Sequence, residues 1–66
     1  MQKRTFISGI PYWVGVYDEG PREWHAIGEV RGHMILTVGL SERLALECWA
    51  AEAEGLLSRL SEPGRA

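Results

Sequence analysis

The chain changes character at Gly39-Leu40-Ser41. Residues 5–38 hold most of the β-branched and aromatic side chains, while residues 41–60 are rich in Leu, Ala, Glu and Arg and contain no proline. β-Branched and aromatic residues suit strands, and straight-chain residues suit a helix. Strands followed by one helix imply an α+β fold. The expectation is a three-stranded antiparallel sheet, four-stranded if Thr5–Ser8 forms a separate strand, packed on one face by a single C-terminal helix.

The strands are placed by their punctuation. Pro11 suits the start of a first strand at Tyr12–Tyr17, since a missing N–H is tolerated there, and Gly9-Ile10-Pro11 reads as a bend. Asp18-Glu19-Gly20-Pro21-Arg22 is a turn by residue chemistry. Glu23–Val30 is the second strand, Arg31-Gly32-His33 the next turn, and Met34–Val38 the third strand. Parity then assigns faces. If Val16 opposes Trp24 and Val30 opposes Met34, one face collects Tyr12, Val14, Val16, Trp24, Ala26, Gly28, Val30, Met34, Leu36 and Val38. The other collects Trp13, Gly15, Tyr17, His25, Ile27, Glu29, Ile35 and Thr37. This separation favours a three-residue loop at Arg31–His33, because a one-residue slip would move every side chain of the third strand to the other face. A two-residue Arg-Gly loop is the alternative, with a weaker turn preference.

Ser41 is a good helix N-cap, and Glu42 sits where the helix dipole favours a negative charge. The helix should run to about Leu60, and Pro63-Gly64 should stop it. Ala45, Leu46, Trp49, Ala53, Leu56, Leu57 and Leu60 form one apolar stripe at helical spacing, with Glu47, Glu54 and Ser58 opposite. Residues 1–66 read as one small domain, with residues 1–4 and 61–66 as loose ends.

A 66-residue chain is short for a self-sufficient core. Such a domain buries only about 60% of the surface its unfolded chain exposes, and its core supplies about 3–5 kcal/mol. Small domains often add disulfides, metals or a second subunit. Cys48 is the only cysteine, so an internal disulfide is excluded. An unpaired thiol suits a reducing compartment, so the expected location is cytoplasmic. No secretory pattern or membrane-length apolar run is present. The charge is uneven: residues 1–40 are neutral, whereas residues 41–62 carry a net charge of −3.

One helix covers one face of a sheet. The other face is therefore expected to expose Trp13, Tyr17, Ile27 and Ile35, with His25, Glu29, Arg22 and Arg31 as a polar rim. Contiguous apolar patches of this kind mark interaction sites, and Trp and Tyr are favoured anchors. A second surface is the helix flank of Leu44, Cys48, Ala51 and Gly55. It either grazes the sheet edge or forms a homodimer seam, since small side chains allow close approach.

Catalytic chemistry is sparse. His25 and His33 are the only histidines, and neither they nor Cys48 fall at metal-ligand spacing. No glycine-rich phosphate loop is present. Gly15 and Gly28, inside strands, imply bulges or close packing under a large ring such as Trp49 or Trp24. No catalytic residue, metal or cofactor is expected. An exposed aromatic sheet can stack single-stranded bases, and Trp13 and Tyr17 with Lys3, Arg4, Arg22 and Arg31 are the candidates. Backbone binding, however, needs a positive groove, which the neutral first part of the chain does not supply.

The stretches Tyr12-Trp13-Val14-Gly15-Val16-Tyr17-Asp18 and Gly39-Leu40-Ser41-Glu42-Arg43-Leu44-Ala45-Leu46 resemble, in arrangement, the small β-β-β-α antitoxins of the HicB type. The likeness covers about half the chain, and the Pro-Gly signature of those proteins after the first acidic turn is absent. It implies a module that neutralises a partner toxin. The expectation from the residues themselves is a non-enzymatic protein-binding module, a stoichiometric inhibitor or adaptor. Phage anti-defence proteins, including anti-CRISPR inhibitors, are often of this kind. Single-stranded nucleic-acid binding is the third reading, and no membrane association is expected.

Overall fold

Two tight turns set the geometry of the sheet. In the computed structural model, which describes residues 1–60, Ser8-Gly9 and Arg31-Gly32 all have positive φ, at 53°, 80°, 52° and 81°. That sign pattern belongs to the type I′ turn, whose twist matches that of the strands it joins. Ser8-Gly9 connects β1 (Gln2–Ile7) to β2 (Ile10–Gly20), and Arg31-Gly32 connects β3 (Glu23–Val30) to β4 (His33–Gly39). Between β2 and β3, Pro21 precedes Arg22 at φ 62°, the sign pattern of a type II turn. The Gly20 N–H donates to Asp18 Oδ1 at 3.1 Å, and the ladder is irregular between Asp18 and Gly20. The four strands lie side by side in chain order, all antiparallel, and α1 (Glu42–Leu60) follows. The fold is thus α+β with a four-stranded sheet. Residues 2–4, expected as a loose end, belong to β1, whereas the tail at 61–66 lies outside the described residues.

The register corrects two expectations. Val16 opposes Ala26, and Trp24 opposes Asp18, a two-residue offset that leaves every side chain on its expected face. The second hairpin differs in kind. Val30 opposes His33, Glu29 opposes Met34 and Gly28 opposes Ile35, so the loop has two residues rather than three. This one-residue slip reverses β4. Met34, Leu36 and Val38 point away from the helix and are exposed, while Ile35 packs against the core. Ile35 is therefore not part of the uncovered face. The helix side gains from the reversal, because Thr37 Oγ1 donates to the Ala45 carbonyl at 2.9 Å.

The core lies between one sheet face and α1. Ile7, Val14, Val16, Ala26 and Val30 from the sheet are buried, as are Ala45, Trp49 and Ala53 from the helix. Tyr12, Trp24, Ile35, Leu46, Leu56 and Leu57 pack around them. Leu60, expected in the buried stripe, is 44% exposed at the helix end. Trp49 is the largest buried side chain. Its Nε1–H donates to the Ile35 carbonyl at 3.1 Å, which satisfies the polar end of the ring. The indole lies against Gly28, where a Cβ would come within 2.7 Å of Cζ2. Gly39 has a similar role at the helix start, where a Cβ would run into the Ala45 backbone nitrogen. Ser41 caps α1 as expected, with the Leu44 N–H donating to its Oγ at 3.2 Å. No helix among the described residues is long and apolar enough to cross a membrane.

Candidate interaction face

The sheet face away from α1 is assembled by strand alternation alone. The register carries Gln2, Gly15, Ile27 and Leu36 across all four strands in one row. Tyr17, His25 and Val38 form the next row. Arg4 opposes Trp13, and Glu29 opposes Met34. Phe6 belongs to the same face, two residues beyond Arg4 on β1. An antiparallel sheet with one wet face normally alternates apolar inside and polar outside. Here the outward positions are dominated by Phe6, Trp13, Tyr17, Ile27, Met34, Leu36 and Val38. Trp13 is 62% exposed and Leu36 57%.

Local packing makes the patch continuous. The Tyr17 ring folds back over Gly15, where a Cβ would lie 3.0 Å from the ring Cε2. A large ring over a strand glycine was expected, and at this position the ring is Tyr17. At Gly28 it is Trp49, one of the two residues foreseen. Arg4 sits between two aromatic rings, its guanidinium 5.6 Å from the Phe6 centroid and 5.7 Å from that of Trp13. This cation–π arrangement holds the charge over the apolar surface. His25 Nε2–H donates to Glu23 at 2.9 Å, which keeps that pair at one margin.

Of the residues singled out in the sequence, Trp13, Tyr17, His25 and Ile27 share this face. Arg22 and Arg31 do not form one rim, because they occupy turns at opposite ends of β3. Ile35 is on the helix side. Four residues of the face were missed, and Arg4 was named only as a candidate for nucleic-acid contact. Phe6 was missed because Thr5–Ser8 was left open between an arm of the next strand and a separate strand and so had no face, though Ser8-Gly9 between two apolar runs is a hairpin signal. Met34, Leu36 and Val38 were assigned to the core through the loop length. On α1, Leu44, Cys48 and Ala51 are exposed and Gly55 is half-buried.

Elsewhere the surface offers less. A groove of about 600 Å³ lies between β1 and the start of α1, lined by Lys3, Thr5, Glu42, Leu46 and Ala50. Lys3 Nζ reaches across it to Glu42 Oε2 at 3.0 Å. Among the described residues no His, Cys, Asp and Glu side chains group as a metal site. No protein-family model matches the chain, and no curated protein or solved structure is found similar to it.

Proposed function

We propose that this chain is a non-enzymatic protein-binding module, acting as a stoichiometric inhibitor or adaptor in the cytoplasm, and that the uncovered sheet face is its docking surface. The observation that carries this reading is the contiguous outward surface of Phe6, Trp13, Tyr17, Ile27, Met34, Leu36 and Val38. Exposed patches of this kind on a small domain favour association, and aromatic and Arg side chains supply most of the binding energy at such surfaces. The fitting partner presents an apolar surface with a carboxylate placed to meet Arg4. A small inhibitor of the phage anti-defence type, as anti-CRISPR proteins are, suits this description, as does an antitoxin that covers its toxin.

Photo-crosslinking from single positions tests the reading. A photoreactive residue at position 13 or 27 should capture the same heterologous protein from the native host. One at position 54, on the solvent side of α1, should not. Equal capture from all three positions, or no capture from 13 and 27, overturns the proposal.

The placement of Arg4 between Phe6 and Trp13 favours one second reading, the stacking of single-stranded bases on the sheet. It predicts salt-sensitive quenching of Trp13 fluorescence by short oligonucleotides. Quenching absent at low salt removes it.

A further inference from the structure

We infer that β4 is the strand through which two copies of this chain pair, antiparallel about a two-fold axis at Leu36, joining their four-stranded sheets into one of eight strands. The two-residue turn makes Val30 and His33 the hydrogen-bonded pair that closes the second hairpin. Antiparallel ladders alternate bonded and non-bonded pairs, so the N–H and C=O groups of Met34, Leu36 and Val38 point away from β3. The first hairpin obeys the same rule, since the Val16 N–H donates to the Met1 carbonyl at 2.7 Å, in step with a closing pair at Ile7 and Ile10. No backbone bond from a turn or cap among the described residues reaches the outer side of β4.

The two edges of the sheet differ sharply. β1 carries Lys3 and Arg4, and charge on an edge strand is a common guard against pairing with another chain. From Met34 to Leu40 no residue is charged or proline, and the β3–β4 register runs without a bulge. Among the described residues, β4 is thus an unguarded edge. It is also self-complementary. With the axis at Leu36, Leu36 meets its own copy and Met34 meets Val38, all on the uncovered face. On the helix side Ile35 meets Thr37. The same operation on β1, centred at Arg4, would set Arg4 against Arg4, which like-charge repulsion disfavours. Pairing β1 with β4 of another copy leaves a free edge at each end and does not close.

The helix layer agrees. Leu46 and Ala50 face the β1 side, where they line the groove with Lys3 and Thr5. At about 100° per residue, Leu44, Cys48, Ala51 and Gly55 fall on the opposite flank, toward β4. α1 packs chiefly on β4 and next on β3. With strands about 4.8 Å apart, an axis lying between β3 and β4 comes within about 10 Å of its symmetry mate, a normal helix-packing distance. The small side chains Cys48, Ala51 and Gly55 of that flank permit the approach, with Arg59 Nη1 3.7 Å from where a Gly55 Cβ would sit. The paired sheets place both uncovered faces on one side, doubling the surface assigned above to a partner. Pairing through the edge leaves that face open, so the two proposals stand or fall separately.

Sedimentation equilibrium and disulfide trapping test this pairing. At high micromolar concentration the full chain should sediment at twice its 7.4 kDa mass. Leu36→Lys should sediment at the single-chain mass with an unchanged far-UV CD spectrum. In a Cys48→Ser background, Leu36→Cys should link to its own copy under mild oxidation, because a hydrogen-bonded antiparallel pair holds its Cα atoms about 5.5 Å apart, within disulfide reach. Phe6→Cys, on the β1 edge, should not. A wild-type chain at 7.4 kDa, a Leu36→Lys dimer, or equal linking from positions 6 and 36 overturns the inference. If Leu36→Lys fails to fold, the contrast between positions 36 and 6 still decides.

Discussion

On the helix side, the small residues Val14, Val16, Ala26, Gly28 and Val30 form a low floor, with Ile7, Tyr12, Trp24 and Ile35 around them. Over this shallow floor a single large ring, Trp49, fills most of the space, with Ala45 and Ala53 on either side of it. The opposite side carries Phe6, Trp13, Tyr17, Met34 and Leu36, and nothing in the described chain covers them. The two faces thus carry similar apolar bulk, but on the covered face the position under the indole is a glycine. The lesson is one of fit. The covered face has to admit a helix and therefore stays low, with glycine where the indole rests. The open face has no such constraint and is free to present tall anchors to another molecule.

If that contrast is right, substitutions on the two faces should have very different costs. The largest effect is expected for Trp49→Ala. Emptying a fully buried indole site costs about 3–5 kcal/mol, comparable to the whole core of a domain this size, and urea denaturation followed by CD should show the chain largely unfolded. Next comes Gly28→Ala. Its methyl would meet the Trp49 ring at 2.7 Å, and overpacking of this kind costs about 1–3 kcal/mol, read as a lower urea midpoint with an unchanged slope. Thr37→Val removes the bond to the Ala45 carbonyl and should cost about 1 kcal/mol in the same experiment. Smallest is the Lys3–Glu42 pair, about 45% and 31% exposed. Glu42→Gln should shift stability by less than about 1 kcal/mol, and salt should erase the difference. A Gly28→Ala chain as stable as wild type would break the account of the covered face.

How legible each part was depends on local chemistry that can be named. The helix was readable because one signal repeats along it: the Ser41 cap, the absence of Pro and Gly until Gly55, and an apolar stripe of period 3.6. β2 and β3 were readable because turn residues bound them and their small apolar residues Val14, Val16, Ala26 and Val30 keep a single parity. β4 was not. Met34, Ile35 and Leu36 are apolar in succession, so both registers look equally good, and only loop length separates them. The type I′ turn favours Asn-Gly, and Arg31 is an uncommon residue at φ 52°. Local propensity therefore pointed to the longer loop, while tertiary contacts of Ile35, Thr37 and Gly39 with α1 enforce the shorter one. β1 was obscured by Pro11, which suggested a break at Gly9-Ile10-Pro11. Pro11 is tolerated because it opposes Phe6 at a non-bonded position and lies before β2 begins to pair with β3 at Gly15. The uncovered face was anticipated through Trp13, Tyr17 and Ile27, while its residues on β1 and β4 were hidden by these two misreadings.

The claim that the covered face holds the fold while the open face binds a partner is tested most directly by the double variant Phe6→Ser/Trp13→Ser. Both side chains lie on the open face and away from the β4 edge. Its thermal midpoint and its recovery of the host protein crosslinked from position 27 should be measured beside wild type. The account predicts a midpoint within a few degrees of wild type and loss of that protein. A chain that unfolds, or one that recovers the protein undiminished, would contradict it.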